Sequence, residues 1–126
     1  MIATVLQVAL GGAIGASLRH LTGVAVTRIM GTGGFPLGVL TVNVLGSFLM
    51  GLLVVMLART SAAHLNPLLA VGVLGGFTTF SSFSLETVML IERGALGQAM
   101  AYVVLSVGLS IGALVLGLAV ARGVMA

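Results

Sequence analysis

The side chains able to do chemistry in this 126-residue chain are few and clustered. Asn43 stands in Thr41-Val42-Asn43-Val44-Leu45. A dense hydroxyl run follows a glycine pair in Gly75-Gly76-Phe77-Thr78-Thr79-Phe80-Ser81-Ser82-Phe83-Ser84. Tyr102, Ser106 and Ser110 recur every four residues, which puts three hydroxyls on one helical face. Covalent chemistry has no footing. There is no cysteine, no H-x-x-x-H pair, no carboxylate cluster and no glycine-rich loop followed by lysine. Glu86, Glu92, His20 and His64 do not assemble with a serine into a triad. What remains is non-covalent: amide and hydroxyl donors, and the positive edges of phenyl rings, against a small dehydrated anion.

These groups have to be positioned in lipid. The chain is 60% apolar and 6% charged, against about 25% charged in an ordinary soluble domain. A span needs roughly 20 apolar residues, so four would use about 80. The sequence divides accordingly. The first span starts near Ile2 and passes Gly11, Gly15, Arg19 and His20, with a softer stretch to Arg28. Gly31, Gly33, Gly34 and Pro36 punctuate. Spans follow at about Leu37 to Leu57, Leu68 to Ile91 and Leu96 to Ala121, the third introduced by Asn66-Pro67. The expected fold is an all-α integral membrane protein, one four-helix up-and-down domain over residues 1–126. The first residues lack the basic region of a cleaved signal, so the first stretch reads as a retained helix.

Two glycines followed by Thr and Ser at the middle of the third span predict a helix broken at mid-membrane. Irregular backbone at that depth must be buried in protein or line a cavity. A continuous helix with its hydroxyls bonded back to the preceding turn is the other reading. Nineteen glycines let helices approach closely where lipid gives no hydrophobic drive. The G-x-x-x-G pairs Gly11/Gly15, Gly72/Gly76 and Gly108/Gly112 serve either packing within the bundle or a seam between subunits. The net charge of +3 rests on scattered arginines with no basic cluster for nucleic acid. Arg59 and Arg122 fall on one side of a four-span chain, Arg28 and Arg93 on the other. That balance leaves the positive-inside rule little to act on and permits insertion in both orientations.

Each polar candidate carries a packing alternative. Asn43 is either interhelical glue or a donor turned to an anion. Phe80 and Phe83 share a helical face, as core or as ring edges beside a passage. Glu86 lines a pathway or anchors Ser82 or Thr79. Tyr102, Ser106 and Ser110 are glue or a polar track. Arg19 is a vestibule charge or a snorkelling anchor.

Gly11-Gly12-Ala13-Ile14-Gly15-Ala16-Ser17-Leu18-Arg19, Gly38 through Phe48, and Gly75 through Glu86 together resemble the three helix motifs of the Fluc (CrcB-type) fluoride ion channels. The likeness covers essentially the whole chain. It implies an antiparallel, dual-topology homodimer in the cell inner membrane, with two fluoride pores and a structural sodium ion at its centre. Asn43 would be the pore amide, and Phe80 and Phe83 an aromatic box. Thr79, Ser81, Ser82, Ser84, Tyr102, Ser106 and Ser110 would be polar-track candidates, with Glu86 beside them. Backbone carbonyls of Gly75 and Thr78 would bind the sodium, and Arg19 would charge a vestibule. The implied role is passive fluoride efflux. The rival readings are a small multidrug-type exporter, which wants an acid in its first helices, and a non-transporting membrane assembly subunit.

Overall fold

The computed structural model describes residues 1–31 and 33–126. Helix α1 spans Ile2–Met30 and α2 spans Leu37–Arg59. A turn of 3-10 helix at Ala63–Leu65 leads into a π-helical segment, Pro67–Leu74, which continues as α3, Gly75–Phe77. Helices α4, Phe80–Glu92, and α5, Leu96–Val124, complete the chain. Four helical stretches are long and apolar enough to cross a membrane, counting Ala63–Glu92 as one. At 29 residues, α1 and α5 reach about 43 Å, beyond the roughly 30 Å hydrocarbon core.

Sequence explains the ends. Gly31 takes φ 81° and returns its N–H to the Thr27 carbonyl, while Arg28 lies in the last turn of α1, where a cation meets the helix dipole. Pro36 precedes α2 and Arg59 lies in its last turn. Gly94, at φ 81°, separates α4 from α5.

The helices pair in a way that chain order does not announce. Helix α1 packs along the first half of the third span, and α2 packs along α5, with α4 against α5. Glycine makes both contacts possible. A Cβ on Gly15 would strike the Val73 carbonyl, and one on Gly76 would lie 2.9 Å from the Gly12 carbonyl. Across the other pair, a Cβ on Gly51 would strike the Leu114 carbonyl and one on Gly117 the Phe48 carbonyl. Two of the three G-x-x-x-G pairs within the spans thus pack inside the chain. The third does not: among the described residues, nothing lies within 4 Å of a Cβ built on Gly108 or Gly112.

Both ends are tied by arginine. Arg59 donates to the Arg122 carbonyl at 3.3 Å, and Arg93 donates to the Gly34 carbonyl at 3.0 Å. Each bond joins segments that an up-and-down chain puts on one side of the membrane.

Candidate functional site

The third span is interrupted where its glycines and hydroxyls meet. Thr78 (φ −88°, ψ 159°) and Thr79 (φ −152°, ψ 120°) are extended. The segment before them is already loosened, since Gly75 N–H reaches back five residues to the Ala70 carbonyl. Thr79 restarts the helix as an N-cap, its Oγ1 accepting Ser82 N–H at 3.1 Å. The alternative reading of back-bonded hydroxyls holds beside the break: Thr78 Oγ1 donates to Leu74 O at 3.0 Å, and Ser84 Oγ to Phe80 O at 3.0 Å.

Asn43 closes on the break from α2. Its Oδ1 accepts Thr79 N–H at 2.8 Å and its Nδ2 donates to Thr79 O at 3.0 Å. A backbone N–H can only donate and a carbonyl only accept, so this pair fixes which way the amide points. One N–H of Asn43 is left over. Gly46, one turn on, meets Thr78 and the Phe77 ring where any side chain would collide.

Those captures free two carbonyls. Thr79 N–H would close a helical turn onto Gly75 O, and Ser82 N–H onto Thr78 O; Asn43 and Thr79 Oγ1 take them instead. A third carbonyl, that of Gly76, accepts from Arg19 Nε at 3.2 Å. Arg19 therefore does more than snorkel: it brings positive charge to the end of the broken half-helix.

Most of the expected site residues line two hollows that share Thr79, while Gly75 and Tyr102 line neither. The larger, about 690 Å³, is lined by Arg19, His20, Arg28, Thr79, Ser82 and Glu86. The smaller, about 440 Å³, takes in Asn43, Thr79, Phe80, Phe83, Ser106 and Ser110. Ser81 is exposed with its hydroxyl 3.3 Å from Thr79 Oγ1, and Ser84 bonds back to the preceding turn of its own helix; neither lines a hollow. Phe80 and Phe83 are neighbours at 5.5 Å between ring centres, yet Phe83 is 9% exposed and Phe80 77%. Tyr102 is fully buried behind Phe83, ring centres 5.2 Å apart. Its hydroxyl and those of Ser106 and Ser110 are buried and, among the described residues, have no hydrogen-bond partner.

Sequence reasoning missed Phe35. Its ring stands perpendicular to that of Tyr102 at 5.6 Å, and it packs on the cluster of Phe83, Leu90, Ala99 and Tyr102. A loop residue among glycines has no periodicity to mark it. The Gly51/Gly117 contact was equally silent, because its two members lie on different helices.

Four membrane-length helices, one of them interrupted, define a multi-pass membrane protein whose largely apolar interior holds, among the described residues, three unpartnered hydroxyls beside the interruption. Residues 6–118 match the family model described as "CrcB-like protein, Camphor Resistance (CrcB)". The chain belongs to that family. It is 63% identical over 125 residues to a protein of a Ruegeria species named "Fluoride-specific ion channel FluC", covering 99% of each. Relatives of the same name in Cereibacter sphaeroides and Caulobacter vibrioides are 58% and 55% identical, covering 100% of both chains and 96% and 97% respectively. These relatives are named as channels and not as enzymes.

Proposed function

We propose that the chain is a fluoride channel that lets the ion leave the cell passively, built as an antiparallel homodimer with two pores in the inner membrane. The observation that carries the reading is the trio of unpartnered hydroxyls on Tyr102, Ser106 and Ser110. Each unmatched buried polar group costs about 1–3 kcal/mol, so a fold that keeps three in one line has a use for them. The relatives' names supply the ion. Nothing in donors and rings alone distinguishes fluoride from chloride. The exporter reading lacks its acid, since α1 carries Arg19 and the carboxylates are Glu86 and Glu92.

On this reading Arg19 draws the anion into the larger hollow, past Ser82 and Glu86, to Thr79. The free N–H of Asn43 then replaces part of the hydration shell, and Phe80 and Phe83 offer ring edges. The hydroxyls of α5 take the ion onward. Ser81 and Ser84 are secondary, because Ser81 is exposed and the Ser84 hydroxyl is already engaged with the Phe80 carbonyl.

A second copy fits several features. Phe80 and Gly75 face outward, and Gly108 and Gly112 have open space where a backbone could approach. The arginine balance suits opposite insertion. Sodium at the centre fits the donor set: Gly75 and Thr78 carbonyls have lost their helical donors, and carbonyl oxygen suits a hard monovalent cation. The ion would supply fixed positive charge between the two breaks. Fluoride release from liposomes containing only the purified protein, against a chloride control, tests the function.

A further inference from the structure

We infer that Phe35 is a positioning residue for the anion path: it holds the Tyr102 ring, and Arg93 holds Phe35. The inference rests on the channel reading for its flux consequence, though not for its geometry. Tyr102 has no hydrogen bond to fix its ring among the described residues, so packing alone must do it. Phe83 closes one contact at 5.2 Å and Phe35 the other at 5.6 Å, perpendicular to the ring at 88°. Phe83 comes from a helix, but Phe35 comes from the loop between α1 and α2. That loop is wound tightly: Phe35 N–H donates to Gly33 O and Leu37 N–H to Phe35 O, both at 2.8 Å. Its position against α5 is set from outside by Arg93, whose Nη2 donates to Gly34 O at 3.0 Å. The chain Arg93, Gly34, Phe35, Tyr102 thus links the mouth of the bundle to the first hydroxyl of the α5 stripe. Removing the ring leaves Tyr102 free to turn its hydroxyl off the line of Ser106 and Ser110.

The chain provides its own probe. It has one tyrosine and no tryptophan, so intrinsic emission reports Tyr102 alone. A phenol that donates to an anion emits less than one without an acceptor. In detergent-solubilised wild-type dimer, fluoride should quench this emission; chloride should not. Phe35→Leu keeps apolar bulk without the ring. It should alter the starting emission, weaken the fluoride quench, and cut flux roughly two- to tenfold, the scale of one aromatic contact. Phe35→Tyr, read by flux alone, should restore conduction. Arg93→Gln, combined with Arg122→Gln so that the arginine balance across the membrane is kept, leaves the core intact and should shift emission and flux in the same direction by less. Dimer elution should not change in any of them. Unaltered Tyr102 emission in Phe35→Leu overturns the inference, as does loss of flux that tracks loss of the dimer. A wild type that carries no fluoride overturns the channel reading instead, and the emission of Phe35→Leu and Arg93→Gln still decides the positioning.

Discussion

Asn43 and Thr79 hold each other by two hydrogen bonds, 2.8 Å and 3.0 Å, between an α2 side chain and the backbone of the helix break. The pair joins the two readings of Asn43 that the sequence leaves open. One donor and the acceptor are engaged with the Thr79 backbone; on the proposed reading the other donor meets the ion. Removing the amide therefore disturbs fold and passage together, and variants have to be designed to tell these apart.

Asn43→Asp puts a carboxylate oxygen opposite the Thr79 carbonyl, where a donor stood. The lost bond and the repulsion should cost about 1–3 kcal/mol of stability and abolish fluoride flux. Thermal unfolding beside liposome flux measures both. Normal stability would show that the bond from Asn43 Nδ2 to Thr79 O carries no weight.

Ser106→Ala and Ser110→Ala should behave in the opposite way. Neither hydroxyl has a partner among the described residues, so stability should hold or rise by up to about 1 kcal/mol, while flux falls. If either variant lost stability, its hydroxyl would be a structural bond in the assembled protein.

Phe80→Ile and Phe83→Ile should separate according to exposure. Phe83 is packed between Phe80 and Tyr102, so its change should reduce stability as well as flux. Phe80 projects outward, so within the protomer its change should spare the fold and reduce flux through loss of the ring edge. Equal unfolding temperatures for the two would contradict this.

Gly15→Ala drives a methyl into the Val73 backbone, which cannot move aside as a side chain can, and should destabilise by about 1–3 kcal/mol. Gly108→Ala meets open space within the chain. It should leave the protomer's helicity intact and weaken the dimer if α5 lies at the seam, which cross-linking and elution volume would read.

Much of this was legible in the residues. The four spans are set by apolar runs, and observed ends differ by a few residues because lipid-facing helices continue past the hydrocarbon. The interruption near Gly75 follows from weak helix formers backed by hydroxyls. Partners across helices were not legible. Helix α1 pairs with the third span because Gly12 and Gly15 meet Gly76 and Val73, a match of surfaces that no single helix displays. Arg19 reads as a charge at a helix end until the Gly76 carbonyl is placed beside it. The target of Asn43 lies thirty-six residues away, beyond any local spacing rule.

The proposed dual topology rests on the balance of Arg59 and Arg122 against Arg28 and Arg93. A reporter fused to the C-terminus should label both faces of the membrane. Adding arginines to one loop should bias insertion and lower flux, because opposite copies would become scarce. One-sided labelling of the unmodified chain would exclude the antiparallel dimer.

The most direct test loads liposomes with fluoride, reconstitutes the purified protein alone, and follows ion release with an electrode after a potassium ionophore is added. A passive fluoride channel gives rapid fluoride efflux down its gradient with no proton gradient, near-complete retention of chloride under the same conditions, and loss of efflux in Asn43→Asp. Fluoride release no faster than from protein-free liposomes, or chloride release at a matching rate, would contradict it.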